Sequence, residues 1–420
     1  MSNRDVLNVW HEQRLVGKIW RNISGLMRFC YEPNWISDGG FRISCSLPLQ
    51  ESEFATEDRV AHDWFANLLP EGDMREKVVY ERKLSNTDFM LLRALGGECA
   101  GALSILPPDQ EPIESLEYEQ LMDTDLSALV LRRGHPYIEW SKGHYPRLSL
   151  AGAQYKCPVF CLDDRYYVPK SVAPTSHILK FDPQRYRNVP AYETFTTQLA
   201  ASINLPVIDI TLHTIERNRF VKIARYDRIW DCNSKIKRLH QEDFCQALGL
   251  SSRNKYQEDG GPSFSDCYHL VQSTSSQAPT DSLSLLRWHI FNVLAGNSDG
   301  HAKNLSLLYF EDGQIRLAPF YDLICTRAIQ STDHRLALYV GSNRDPGIVT
   351  LKHWHDLAGQ CDVSSNLVTD LIQEVAAGLL ERISSEREIF EERYGPYPAL
   401  QRIERVVSKQ CMRILKETSR

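Results

Sequence analysis

What this 420-residue chain lacks narrows the field before any motif is considered. Its eleven cysteines, from Cys30 to Cys411, include no C-x-x-C pair, so neither a disulfide framework nor a zinc knuckle is indicated. Cys157 and Cys161 read instead as buried apolar residues on a strand. No apolar run reaches the roughly 18 residues of a membrane span, and the opening MSNRDVLNVWHEQRLVG carries charges where a signal peptide needs an apolar core. The chain is therefore expected in the cytoplasm, with no membrane partner. Positive charge is in deficit as well: 48 Lys and Arg against 54 Asp and Glu give a net charge of −6. That argues against a protein that grips nucleic acid by its own overall field, so any nucleic-acid role is expected to run through a partner.

What remains is a soluble composition, 42% hydrophobic and 24% charged, in a chain long enough for two or three cooperating units. Residues 1–107 read as a small mixed α/β unit. It has strand-like DVLNVWH, LVGKIW and FRISCSLPL, helix-like DRVAHDWFANLLP, and a helix in SNTDFMLLRAL with Ser85 or Asn86 as cap. Gly96, Gly97 and Gly101 then give way to a Pro-rich, acidic connector. Residues 108–228 read as sheet-rich, with KCPVFCLDDRYYVPK a hairpin around Asp163-Asp164 and SHILKF and NRFVKIARYDR two more strands. Phe195, Leu199 and Ile203 put one helix on that sheet.

From 229 to 420 helices are expected to dominate. DSLSLLRWHIFNVL sets Leu283, Leu286, Ile290 and Leu294 on one face with Asp281 or Ser282 as cap, and SSNLVTDLIQEVAAGLLERI continues the style. RLHQEDFCQALGL reads as an amphipathic helix with a polar face and no chemistry. A sheet-rich lobe followed by a helical lobe is an α+β pattern whose junction is a natural cleft.

The stretch LAGNSDGHAKNLSLLYFEDGQIRLAPFYD, 294 to 322, carries the chemistry. Asp312-Gly313 is a hairpin signal between LSLLYF and QIRLAPF. Asn304 lies nine residues before Gly313 and Asp322 nine after it, so antiparallel pairing should bring both to the open end of the hairpin. Asp299 sits five residues before Asn304, in the loop leaving the preceding helix. Phosphoryl transfer needs this set: a carboxylate to orient the attacking hydroxyl, and an amide with a second carboxylate to hold magnesium against phosphates. RLSLAGAQYK, 147 to 156, is small and leads into the first hairpin of the sheet lobe, where backbone N–H groups could face phosphates, although its single glycine makes neither a Walker loop nor a G-x-G-x-x-G. Lys180 in SHILKF stands among apolar neighbours, a costly position for an unpaired ammonium. Phosphate oxygens or a carboxylate such as Glu193 would account for it.

Taken in order, LSLAGAQYKCPV, SHILKFD, ARYDR with RLHQEDFCQALGL, AGNSDGHAKNLSLLY and LAPFYDLICT resemble the HipA family of bacterial toxin kinases. SCSLPLQ, WFANLLPEGDMREKV and LLRALGGECAGALSILP are similar to the small domain that full-length members carry ahead of the kinase. The resemblance covers residues 5 to 360 and implies a protein-kinase-like two-lobed fold, a sheet-rich N-lobe and a helical C-lobe, preceded by that small subdomain. It implies ATP and Mg2+ as cofactors, Asp299 as catalytic base, Asn304 in catalysis and metal binding, and Asp322 as magnesium ligand. On the nucleotide side it places Ala151, Gly152, Ala153, Gln154, Tyr155 and Lys156 as phosphate loop, Lys180 on phosphate, Ala224, Arg225 and Tyr226 as adenine hinge, and His301 and Tyr321 beside them. Ser149 matches the serine such kinases phosphorylate on themselves, and Arg147, Arg225 or Arg228 would capture the added phosphate. The partners implied are a small DNA-binding antitoxin of the HipB kind, with DNA met only through it, and an aminoacyl-tRNA synthetase as protein substrate. Two other readings stay open, a small-molecule phosphotransferase and a non-catalytic corepressor.

Overall fold

The computed structural model describes residues 5–54, 58–112, 117–133, 147, 151–152, 154, 156–170, 173–183, 185–231 and 235–418. Ser149, Ala153 and Tyr155 lie outside them. Among the described residues no helix is long and apolar enough to cross a membrane.

The chain opens with strands β1 Val6–His11, β2 Arg14–Arg21 and β3 Met27–Tyr31, which β4 Leu103–Leu106 joins to make a four-stranded sheet in the order β3-β2-β1-β4. Alternation sends Leu7, Val9, Phe29 and Tyr31 to one face, where Trp64, Phe65, Leu91 and Leu92 of two helices bury them. Gly17 has to be glycine there, because a Cβ would lie 2.4 Å from the Cys30 carbonyl oxygen. FRISCSLPL is not a strand but an irregular segment, since its groups bond outward to another part of the chain. The helix Asp88–Leu95 is capped by Thr87, whose hydroxyl accepts from the Met90 N–H, rather than by Ser85 or Asn86.

The second sheet runs β5-β7-β6-β8-β10-β9, from β5 Tyr118–Gln120, β6 Lys156–Leu162, β7 Arg165–Pro169, β8 His177–Lys180, β9 Ile210–Ile215 and β10 Asn218–Ala224. Asp163 and Asp164 close the β6–β7 hairpin with φ of 49° and 56°, the left-handed pair that a two-residue turn requires and that Asp tolerates. The helix Val189–Ser202 packs on β9 and β10 through Phe195 and Leu199. A small ribbon of β11 Arg228–Trp230 and β12 Ile236–Arg238 follows.

The helical part, with helices Ala278–Ala295, Ser365–Tyr394 and Leu400–Thr418, carries a third sheet. That sheet is β13 His240–Asp243, β14 Ser306–Tyr309 and β15 Ile315–Leu317, all antiparallel. The long helix begins a turn earlier than expected, after Gln277. Asp281 is not its cap but a buried carboxylate held by Arg316 at 2.8 Å. RLHQEDFCQALGL is likewise not one helix: its first half is β13, and only Phe244–Ala247 is helical. The result is the two-lobed kinase-like fold with a small α/β unit in front.

Two buried carboxylates seam that front unit to the rest. Glu242 of β13 accepts from the Cys45 N–H at 2.9 Å and the Trp64 indole N–H at 3.2 Å, and from the hydroxyls of Ser44 and Tyr309. Glu98 accepts from Arg225 at 2.8 Å and Arg228 at 2.7 Å, while Asp227 holds the same two guanidinium groups. All four members of this second cluster are buried. Removing one partner of such a network leaves charge stranded in low dielectric. Glu98→Ala is expected to lower unfolding free energy by about 3 to 5 kcal/mol, and urea denaturation at neutral pH measures it.

Candidate active site

A cavity of about 510 Å³ opens where the three parts meet. Its walls include Asp299, His301, Asn304, Tyr321 and Asp322 from the helical part, and Ala151, Gly152, Gln154, Lys156, Lys180, Ala224, Arg225 and Tyr226 from the sheet lobe. The described members of the expected site are thus brought together in one place.

The base end is built by a tight loop. Gly296 ends the long helix at φ 72°, and a Cβ there would meet Val406 at 2.9 Å. The Asp299 N–H then donates to Asn297 Oδ1 at 3.1 Å, while the Asp299 carbonyl accepts from the His301 N–H and from Asn304 Nδ2, both at 2.9 Å. The amide nitrogen of Asn304 is spent on the loop, which leaves its oxygen for the cavity. Asp299 is exposed to the cavity; the protein packed around its carboxyl raises the pKa above the ordinary Asp value, and the Tyr256 hydroxyl, donating at 2.7 Å, pulls it partly back. His301 is buried and neutral, its pKa pushed down to about 3 by burial and then by Lys255. It packs edge-on to Tyr256 with ring centroids 5.1 Å apart.

Asp322 reaches the same wall by a different register than the symmetric count expects. Leu307 pairs with Leu317 and Tyr309 with Ile315, so the turn centres on Asp312 rather than Gly313, and a ladder continued in that register would not set Asn304 opposite Asp322. The two polar residues still meet, because the chain leaves the ladder after Leu317 and Asp322 takes φ 55°. A left-handed Asp carries about 1 to 3 kcal/mol of backbone strain, and its ion pair with Lys180 offsets that.

Lys180 answers the question its sequence raises, since Nζ lies 2.5 Å from Glu193 and bonds Asp322 as well. Burial works against its charge, yet Asp322 and Glu193 together hold its pKa above the usual lysine value. For Asp322 burial likewise opposes ionisation, but Lys180 and then Lys156 pull the carboxyl well below its usual range. Lys156 lies directly across β6–β8 from Lys180. Gly152, at φ 107°, leaves room for it: a Cβ there would sit 3.0 Å from Lys156 Nζ.

The donors suit magnesium. Asp322 is ionised, the Asn304 oxygen is uncommitted by the loop bond, and hard oxygen ligands of this sort hold that ion when substrate phosphates complete the shell. Among the described residues no group of three or more His, Cys, Asp or Glu could hold a metal ion.

Residues 148–383 match the HipA-like C-terminal domain, and residues 7–106 match the HipA N-terminal domain. The chain belongs to the HipA family. It is 35% identical to Y4mE of Sinorhizobium fredii over 397 residues, 92% of this chain and 93% of that one. It is 26% identical to the serine/threonine-protein kinase toxin HipA of Shewanella oneidensis, over 76% of this chain and 74% of that protein. In the solved complex of Shewanella oneidensis MR-1 HipA with HipB and operator DNA, a chain 22% identical superposes with a TM-score of 0.84 across 98% of both, which shows the shared fold.

Within this HipA-family cleft the hinge needs one correction. Ala224 and Arg225 donate their backbone N–H groups to Asp209 and Ser176, and the Arg225 side chain turns away into the Glu98–Asp227 cluster. Arg225 and Arg228 are therefore already committed by buried carboxylates and not free to capture a phosphate on Ser149. Arg147 donates to the carbonyl of Arg93 and to Gln110. Tyr226 stacks on Tyr321 with centroids 5.7 Å apart, so the hinge end has an aromatic wall.

Sequence reasoning missed the residues that the front unit supplies. Asn67, Leu68, Glu71 and Ala100 line the cavity. The Glu71 N–H donates to the Gly152 carbonyl at 3.2 Å, tying the front unit to the phosphate loop. Lys303, in the catalytic loop, is turned inward to Asp243 and Asn67, both at 2.7 Å. No local pattern announces such contacts.

The Lys180 geometry also predicts how its loss behaves. Lys180→Met strands Glu193 and Asp322 near one another, so it is not the benign exchange of a sheet-edge lysine. Their carboxyl pKa values then rise above the unfolded values, a penalty present at neutral pH that eases as pH falls through the raised values. The expected deficit is about 3 kcal/mol at pH 7, smaller at pH 5; thermal unfolding at the two pH values measures it, and equal deficits contradict the pairing.

Proposed function

We propose that this chain is an ATP- and magnesium-dependent serine/threonine protein kinase of the cytoplasm, acting as the toxin of a toxin–antitoxin pair. The convergence of Asp299, Asn304 and Asp322 on one cavity wall beside Lys180 carries this reading. Asp299 receives the proton of the attacking hydroxyl through its cavity-facing carboxylate. Its raised pKa makes it a better proton acceptor than an ordinary carboxylate. Asp322 and the Asn304 oxygen hold magnesium, which when bound neutralises phosphate charge. Lys180 and Lys156 face the phosphates, Gly152 and its neighbours supply backbone donors, and Tyr226 with Tyr321 walls the adenine end. A small DNA-binding antitoxin of the HipB kind is the partner, in keeping with the HipA–HipB–DNA complex whose chain shares this fold. The substrate class is an aminoacyl-tRNA synthetase, and Ser149 is the site of self-inactivation.

Incubating the purified chain with ATP, magnesium and a bacterial lysate, then mapping phosphopeptides, tests the reading. Phosphate on a synthetase peptide and on Ser149 is expected. Asp299→Asn should retain nucleotide binding and lose transfer by at least about 100-fold, whereas Asp322→Asn should lose magnesium-dependent binding. Phosphate appearing only on small molecules would instead assign a small-molecule phosphotransferase.

The base assignment also fixes a pH dependence. Transfer falls on the acid side as Asp299 protonates, at a higher pH than an ordinary Asp would give because its pKa is raised. Tyr256 donates to the ionised form and lowers that pKa. Tyr256→Phe therefore should move the acid limb of kcat to higher pH, and a limb that stays put or moves lower contradicts the hydrogen bond's role.

A further inference from the structure

We propose that Lys255 is a catalytic residue: its ammonium leaves Glu71 to neutralise charge on the phosphoryl group during transfer. The inference rests on the kinase reading above and adds the cation at the base end that this reading lacks. Among the described residues five lysines and arginines line the cavity: Lys156, Lys180, Arg225, Lys255 and Lys303. Lys156 and Lys180 stand at the Asp322 end. Arg225 is committed to Glu98 and Asp227, and Lys303 is buried with Asp243 and Asn67. The position two residues after Asp299 is His301, held neutral. Lys255 is left to serve the base end.

Its placement fits. The Lys255 carbonyl accepts from the Ala302 N–H at 3.3 Å, so its backbone is fastened to the catalytic loop, and its neighbour Tyr256 donates to Asp299. Lys255 is close enough to Asp299 and His301 for its charge to shift both. Nζ rests 2.9 Å from Glu71 Oε2, and the two side chains remain 17% and 20% exposed. A partly hydrated ion pair of this kind exchanges partners at little cost, unlike the sealed pairs of Lys180 and Lys303. A phosphate oxygen is a stronger competitor for the ammonium than one carboxylate.

In the transfer step the substrate hydroxyl oxygen bonds to the γ-phosphorus, and the bond from that phosphorus to the β,γ-bridging oxygen breaks. ADP leaves with the electron pair, and the hydroxyl proton passes to Asp299. Lys255 keeps its proton throughout and bonds a non-bridging oxygen of the moving group.

Steady-state kinetics and nucleotide calorimetry on Lys255→Met, Lys255→Arg and Glu71→Gln decide. Lys255→Met is expected to keep ATP affinity within about threefold and thermal stability near wild type, since a partly exposed pair contributes little. Its kcat should fall by about 100-fold, the loss typical when one donor to developing charge is removed. Lys255→Arg should recover part of that loss. Glu71→Gln frees the ammonium and should lower kcat less than Lys255→Met does. Equal kcat losses in Lys255→Met and Glu71→Gln mean that the pair only holds the front unit in place, and a Lys255→Met enzyme with wild-type kcat leaves Lys255 no role; either result overturns the proposal alone. A wild-type chain that neither binds ATP nor transfers phosphate overturns the kinase reading and Lys255 with it.

Discussion

A single ammonium that cannot be left alone organises the cleft. Lys180 emerges from a strand into protein interior, where an unpaired charge costs far more than folding can offset. Glu193 comes to it from the helix packed on the sheet, and Asp322 from the end of the hairpin in the helical part. One buried charge thereby fixes three elements that are distant in sequence. The strained backbone at Asp322 belongs to the same arrangement, since the residue that pairs with Lys180 is the one held in the left-handed conformation.

The front unit is part of this architecture and not an appendage. Its sheet buries one face on its own helices, but its polar groups satisfy carboxylates that belong to the other parts. Ser44, Cys45 and Trp64 solvate Glu242, and Glu98 neutralises two arginines at the hinge. Burial raises the Glu242 carboxyl pKa and these donors pull it partly back, while the two arginines hold Glu98 below its usual value. Through Asn67 and Glu71 the unit touches the catalytic loop and the phosphate loop directly. Polar networks of this kind tolerate few alternative placements, so they set relative position more sharply than apolar contact does.

Local signals explain why so much of the catalytic wall was legible. Asp163-Asp164 and Asp312-Gly313 are turn residues whose backbone preferences declare hairpins without any tertiary help. Asp299, Asn304 and Asp322 stand close enough along the chain for a hairpin to gather them, and the gathering survives a register offset because the ladder ends at Leu317. The failures share one cause. RLHQEDFC has helical spacing, but pairing with β14 made its first half a strand. Asp281 has the chemistry of a cap, and Arg316 claimed it for the interior. Lys303 meets Asn67 across 236 residues of chain, a distance over which no periodicity carries information. Lys180 lay between the cases, since its sequence showed the need for a partner and named Glu193 but not Asp322.

Charge balance shows why the cleft is poised and not inert. Asp322 is held ionised against Lys180, while burial raises the Glu193 carboxyl and lowers the Lys156 ammonium, so the end at Lys180 carries little net charge before any ligand arrives. Glu193 is the deeper partner and stays with Lys180. Asp322 is the more exposed one, at 29%, and is the carboxylate that a cation in the cleft can draw outward. Drawing it away leaves Lys180 with only one anion, which raises its attraction for phosphate oxygens. On the proposed kinase reading, cation and phosphate would then favour one another through these two side chains. On that reading the pair that secures the fold in isolation would also couple the two ligands, since Lys180 must always have company while Asp322 can exchange it.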